Sequence, residues 1–479
     1  MKLLLGAWIC STATFAAGTP CDQLTQMTIP KVTVRAAAIT RVSPLAADPL
    51  PDFCRIQAVA HPVPDSEIEF EVWIPQQNWN GKFQGNGNGG YSGALAYTAM
   101  VQALKRGYAT ASHNTGHPGD NMGFGQGHPE KVIDYAHRAA HVMTENAKLF
   151  IRAHTGRYAE KAYFVGCSAG GHQAMQEAQK YPDDYDGIVA GAPANNRLRQ
   201  TLGFHWSWRA LHRDDGSLIV PAEKLALVTK AVVDSCDAVD GLKDGLIDDP
   251  RRCDANVNLS SILTTEEADA VRKVWAGVKS PQNGLRIFTG WPMGSEDFGA
   301  GSWRQYLVNP TEPSRSDLFR FFVFHDPNWD YRTLDYDRDL AFADKKLGFM
   351  NATDLDMSAF NRRGGKLLMY AGWADPVVPP GDTAAYYEAV SKMAGDKQTR
   401  DFFRLFMAPG MGHCGGGSGP NQFDAVGALD EWVTKGVAPD RIIARNPTRT
   451  RPLCAYPQVA RYKGSGSVDD AANFDCAMR

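Results

Sequence analysis

Residues 69–75, Glu69-Phe70-Glu71-Val72-Trp73-Ile74-Pro75, alternate polar and apolar positions as a half-buried strand does. The Asn80-Gly81 pair that follows predicts a hairpin turn into Lys82-Phe83. Ala162-Tyr163-Phe164-Val165 is a short apolar run of strand character, and the chain from Gly171 through Ala178 continues as a helix. Gly187-Ile188-Val189-Ala190-Gly191-Ala192-Pro193 predicts a buried strand ending in a turn. Two further strands are expected at 366–370 and 402–407. Between them, residues 382–390 carry helical periodicity with Asp382 as the capping residue. Strands that alternate with helices predict an α/β fold built on a mostly parallel sheet. Residues 201–354 break that rhythm. They hold Trp206, Trp208, Trp275, Trp291, Trp303 and Trp329 with several prolines and no βα alternation, which predicts a domain inserted into the core.

The opening of the chain, Lys2 followed by Leu3-Leu4-Leu5-Gly6-Ala7-Trp8-Ile9, has the pattern of a secretory signal peptide. Its apolar stretch is shorter than the roughly 20 residues a membrane span needs. Ala16, Ala17 and Gly18 offer a cleavage site, so residues 1–18 are expected to be removed. Nine cysteines stand in the chain, and losing Cys10 with the leader leaves eight, an even number suited to disulfides in an oxidising compartment. A secreted or periplasmic location follows, with no membrane attachment after cleavage. The net charge of −3 and the absence of a basic stripe give no reason to expect a nucleic-acid partner. The 479 residues exceed one simple core, and the expected division is 19–200 and 355–479 for the core with 201–354 inserted. Nothing in this pattern bears on oligomeric state.

Chemistry enters at Gly166-Cys167-Ser168-Ala169-Gly170, a G-x-S-x-G match with a strand before it and a helix after it. In that setting the small flanking residues permit a tight, strained turn that lifts the serine hydroxyl out of the sheet. A serine nucleophile needs a base and an acid to orient that base, in the chain order Ser, Asp or Glu, His for α/β-hydrolases. Asp375 in Gly372-Trp373-Ala374-Asp375 and His413 in Pro409-Gly410-Met411-Gly412-His413-Cys414 arrive in that order, each just beyond an expected strand. Asp375 before Pro376 could also simply start a turn, and His413 could be a surface loop residue, but three positions falling together favour the catalytic reading. The 207 residues from Ser168 to Asp375 exceed what a few βα units of about 30 residues require, which again points to an insertion, and such insertions commonly form a lid that supplies specificity. Cys167 and Cys414 flank the serine and the histidine, so a Cys167–Cys414 bridge would clamp nucleophile to base. Cys167 as the nucleophile is the weaker alternative, because the turn presents its central residue and an exported thiol tends to be oxidised. The loop Gly85-Asn86-Gly87-Asn88-Gly89-Gly90 matches G-x-G-x-x-G, but the first acid after it is Asp120, too far to hold a ribose. In hydrolases such a loop offers a backbone N–H to an oxyanion.

This Cys-Ser, Asp, His-Cys pattern resembles the tannase and feruloyl esterase family, which also contains bacterial mono(2-hydroxyethyl) terephthalate hydrolases. The likeness extends through 185–193, through Arg451-Pro452-Leu453-Cys454-Ala455-Tyr456-Pro457 and through 460–466, and is weakest across 255–350. The resemblance implies an α/β-hydrolase core with a large inserted lid domain, the triad Ser168, Asp375 and His413, and an oxyanion hole from the backbone N–H groups of Ala169 and Gly90. It further implies the pairs Cys21–Cys54 and Cys454–Cys476. Residues 236–248 place Asp237, Asp240 and Asp244 among glycines, which composition alone reads equally as a metal loop or an acidic surface turn. By the resemblance this is a lid calcium (Ca2+) site, held by the side chains of Asp237, Asp240 and Asp244 and the carbonyls of Leu242 and Leu246, with a Cys236–Cys253 bridge closing the loop. No organic cofactor is implied.

The expected activity is that of a carboxylesterase on small aromatic esters, feruloyl, caffeoyl or galloyl, with a terephthalate monoester as the alternative. Reading a free carboxylate would want an arginine in the pocket, and Arg304, Arg315 and Arg320 all lie in the insertion. A peptidase could use the same triad, and only substrates separate the two. A non-catalytic binding protein on this fold would be expected to have lost one of these residues.

Overall fold

The computed structural model describes residues 18–45, 50–297 and 302–478. The leader read at 1–18 therefore lies, but for Gly18, outside the described residues.

Nine strands form one sheet: β1 (Val32–Thr40), β2 (Phe53–Ala60), β3 (Ile68–Pro75), β4 (Lys82–Asn86), β5 (Ala109–His113), β6 (Lys161–Cys167), β7 (Gly187–Gly191), β8 (Lys366–Gly372) and β9 (Phe403–Ala408). Their order across the sheet is β1-β2-β3-β5-β4-β6-β7-β8-β9. The first three strands are antiparallel to their neighbours, and from β5 to β9 every pairing is parallel. Side-chain alternation along β6 and β8 divides the core: Phe164 and Leu367 pack on one face with Phe70, Phe83, Phe150 and Met175. Tyr163 and Leu368 pack on the other with Phe406, Leu429 and Trp432. Burying each large apolar side chain contributes roughly 1.5–3 kcal/mol.

Two local expectations differ from the structure. Asn80-Gly81 does turn the chain, with Asn80 Oδ1 accepting the Lys82 N–H at 2.9 Å. It makes no hairpin, because β5 enters between β3 and β4 and pairs with both. The helix read at 382–390 runs Pro380–Ala394, so Asp382 lies inside its first turn and Pro379 takes the capping position.

Between β7 and β8 the described residues add no strand to the main sheet; their strands are Val278–Lys279 and Arg286–Phe288, paired with each other. The segment builds one core around Phe204, Val228, Val271, Trp291 and Trp303, which Val377 and Val378 of the loop after β8 join. A second core joins Leu198, Leu202, Phe319 and Phe322 to Met122 and Tyr135 from the stretch after β5. The insertion is thus packed onto the C-terminal ends of the parallel strands, where open α/β sheets bind ligands.

Four disulfides close the chain: Cys21–Cys54, Cys167–Cys414, Cys236–Cys253 and Cys454–Cys476. Four bridges suit an oxidising compartment. Among the described residues, no helix is long and apolar enough to cross a membrane.

Candidate active site

β6 ends at Cys167, and the helix Ala169–Lys180 starts two residues later. Ser168 takes the whole change of direction, with φ 62° and ψ −120°. A non-glycine residue held there costs on the order of 1–3 kcal/mol and persists only where the surroundings enforce it. They do: the Ser168 N–H donates to the Gly191 carbonyl at 2.9 Å, and its own carbonyl accepts from His172 N–H at 2.9 Å. The flanking glycines are required by close approach. A Cβ on Gly166 would stand 2.3 Å from the Gly170 carbonyl oxygen, and one on Gly170 would stand 2.8 Å from that of Asn88. Ala169 opens the helix, so its N–H has no intrahelical acceptor and lies at the positive end of the helix dipole.

Asp375 follows β8 and His413 follows β9, and the structure joins them: His413 Nδ1 lies 2.8 Å from Asp375 Oδ2. Asp375 is fully buried. Its other oxygen accepts the N–H groups of Val377 at 2.8 Å and Val378 at 2.9 Å, which fixes the carboxylate's orientation. Trp291 of the insertion donates its indole N–H to the Pro376 carbonyl at 2.6 Å, bracing the same loop. The Cys167–Cys414 bridge sets its Cα atoms 6.0 Å apart and holds the turns of Ser168 and His413 against each other. It also leaves no thiol at Cys167.

The glycine-rich loop after β4 lies across the start of the Ala169–Lys180 helix. Gln173 Oε1 accepts the Asn88 N–H at 3.0 Å, and Asn88 Nδ2 donates to the carbonyls of Ala94 and His113. Two residues on, Gly90 adopts φ 57°. Its carbonyl accepts the hydroxyl of Tyr135 at 3.1 Å. Burial pushes that hydroxyl up to about 12, so it remains a proton donor at working pH. His117, Phe124, Phe322 and Tyr91 pack around the Tyr135 ring.

The structure also distinguishes the three arginines of the insertion. Arg304 pairs with Asp297, and Arg320 pairs with Glu312 and Asp317. Arg315 has no acidic partner among the described residues. Its guanidinium lies 4.8 Å over the Tyr91 ring, beside Phe204 and Tyr306, and its Nε is sealed from solvent without a hydrogen bond. Its backbone is strained at φ 69°. Arg197 is buried at 5% exposure over the Tyr135 ring. Sequence reading passed over Tyr135 and Arg197. The available signal was positional, since Arg197 follows the turn after β7, the end of the sheet where sites gather.

The acidic loop assembles differently. Asp237 accepts the N–H groups of Asp244 and Gly245, Asp240 accepts that of Leu242, and Asp244 accepts that of Leu246. Asp244 also pairs with Arg451 at 2.5 Å, both side chains buried, with Arg449 at 3.8 Å. Three carboxylates and two carbonyls are donors of the type calcium takes. As they stand, the carboxylates serve protein partners, and among the described residues no three or more His, Cys, Asp or Glu are arranged to hold a metal ion.

The chain belongs to the tannase and feruloyl esterase family, which it matches over residues 54–477. It is a carboxylic ester hydrolase. An uncharacterized esterase of Xanthomonas campestris is 35% identical across 97% of this chain and 92% of its own length. The mono(2-hydroxyethyl) terephthalate hydrolase of Piscinibacter sakaiensis is 31% identical, covering 86% of this chain and 81% of that protein. Among solved structures, feruloyl esterase B from Aspergillus oryzae superposes with a TM-score of 0.87 at 28% identity, over 95% of this chain and 99% of that one. The α/β-hydrolase fold and the family resemblance agree with these matches.

Proposed function

We propose that the protein is a serine carboxylesterase of an oxidising compartment, secreted or periplasmic, acting on esters of aromatic acids through an acyl-enzyme. Ser168 Oγ attacks the ester carbonyl carbon while His413 accepts its proton, and Asp375 steadies the resulting imidazolium. The negative charge that develops on the carbonyl oxygen is taken by the N–H groups of Ala169 and Gly90. Collapse expels the alcohol with the proton from His413; water then attacks the acyl carbon as His413 takes its proton, and the acid leaves as His413 returns that proton to Ser168 Oγ. The observation that carries this reading is the strained serine turn, joined through Cys167–Cys414 to the turn of a histidine that is already hydrogen-bonded to a buried aspartate.

Membership of the tannase and feruloyl esterase family supports an aromatic acyl group. Arg315 supports the second reading, in which that group carries a free carboxylate as in a terephthalate monoester, because a desolvated guanidinium without an acid is costly unless a ligand supplies one. A panel of methyl ferulate, methyl gallate, mono(2-hydroxyethyl) terephthalate and a peptide anilide tests both. The esters are expected to turn over and the anilide to resist; preferred cleavage of the anilide refutes the esterase reading. Arg315→Leu is expected to raise KM for the monoester about 10–100-fold, the worth of a charged hydrogen bond, and to leave a neutral dimethyl ester unchanged. Equal effects on both substrates would remove carboxylate recognition from Arg315.

For the acidic loop, the proposal is a structural calcium site held by Asp237, Asp240, Asp244 and the carbonyls of Leu242 and Leu246, remote from bond breaking. A ligand that binds only the folded state stabilises it by mass action. Chelation is therefore expected to lower Tm while initial rates at moderate temperature hold. An unchanged Tm after thorough chelation, with no metal in elemental analysis, counts against the site.

A further inference from the structure

Gly90 adopts a positive φ, and nothing lies within 4 Å of where a Cβ would stand, so it is the backbone conformation and not a lack of side-chain space that suits glycine there. Glycine crosses between backbone regions at little cost, and an N–H meant for an oxyanion needs a fixed direction. The hydrogen bond from Tyr135 is the polar contact that fixes the Gly90 carbonyl.

We propose that Tyr135 is a positioning residue for Gly90, its hydroxyl anchoring the Gly90–Tyr91 peptide through the Gly90 carbonyl and so limiting rotation at Gly90, which keeps the Gly90 N–H directed at the reacting oxygen, and that Arg197 acts through Tyr135. This rests on reading Gly90 as an oxyanion donor. Tyr135 is well placed for the task. It sits in a π-helical turn, Asp134–Arg138, between the Pro129–Ile133 and Ala139–Thr155 helices, and such turns are frequent at functional sites. Asp134 anchors that turn by accepting from Ser66 and Arg138. The ring is enclosed, with Phe322 of the insertion packed edge-on against it, so the insertion and the glycine-rich loop meet on one side chain.

Arg197 packs on the ring that carries the hydroxyl. Its guanidinium carbon lies over the Tyr135 ring, 5.3 Å from the centroid. That contact holds the ring whose hydroxyl donates to the Gly90 carbonyl. The Arg197 Nε is buried without a partner, and no acid pairs with this cation among the described residues. A lone buried cation is costly to keep, which fits a role beyond packing.

The test begins with Tyr135→Phe, which keeps the ring and removes the hydroxyl. On methyl ferulate, kcat is expected to fall about tenfold with KM unchanged, less than the loss when a donor itself is deleted. Affinity for a tetrahedral phosphonate should fall by the same factor, while affinity for ferulate holds. In a double-mutant cycle, Arg197→Met should slow the wild type but add nothing to Tyr135→Phe. Replacing Gly90 by glycolate removes the N–H itself and is expected to cost about 10²–10³ in kcat. If the glycolate variant keeps full kcat, the reading of Gly90 fails. If it slows but Tyr135→Phe does not, or if Tyr135→Phe lowers only Tm, the inference about Tyr135 alone fails. Additive losses in the cycle would overturn the role of Arg197.

Discussion

Replacing Ser168 by alanine is expected to lower kcat by a factor on the order of 10⁴ or more, because the covalent route disappears with the hydroxyl. The fold should survive. The hydroxyl accounts for none of the bonds that hold the turn, which run through the backbone of Ser168 to Gly191, His172 and Ala194. Circular dichroism and Tm should match the wild type while ester turnover drops to background. Turnover within tenfold of wild type in a preparation free of wild-type protein would eliminate the serine mechanism.

The second large effect concerns Cys167 and Cys414. Their bridge closes a loop with a sequence separation of 247 residues and spans the turns that carry nucleophile and base. Long loops gain most in the chain-entropy model, so replacing both cysteines by alanine should cost about 2–5 kcal/mol of stability. Activity should fall further than stability explains. A misplacement of about 1 Å between reacting groups can cost roughly 10²-fold, and nothing covalent would then hold the Ser168 turn to the His413 turn. The measurement is kcat at a temperature where the variant is fully folded. Wild-type kcat there would mean that the bridge serves folding alone.

What the sequence made legible follows from how local each signal is. Ser168, Asp375 and His413 each announce themselves through neighbours within a few positions, a strand before and a turn after, and the structure sets His413 and Asp375 in contact. The parallel strands β6 to β9 read as apolar runs for the same reason, whereas β5, Ala109–His113, carries three polar residues in five and did not. The pairing of β3 and β4 did not, because Asn80-Gly81 specifies a turn and not which strand lies alongside. The helix Arg197–Leu211 left no periodic trace: it is buried on nearly every side, including Leu198, Gln200, Phe204, His205 and Trp208, so it lacks the polar face that makes a helix visible. Tyr135 was illegible as a site residue, and Arg315 could not be told from Arg304 and Arg320, because each acquires its meaning from a neighbour distant in the chain, Gly90 for one and Tyr91 for the other. The acidic loop shows the converse. Its composition read equally as a metal loop or an acidic surface turn, and its pairing with Arg449 and Arg451, more than 200 residues on, could not be foreseen.

The central claim is that Ser168 carries the acyl group. Stoichiometric treatment with an aryl phosphonate, followed by intact mass and peptide mapping, tests it directly. The account predicts one adduct per chain, on the peptide bearing Ser168 and still joined by disulfide to the peptide of Cys414, with activity lost in proportion to labelling. Full inactivation with the label on another residue, or undiminished ester hydrolysis by fully labelled Ser168, would contradict it.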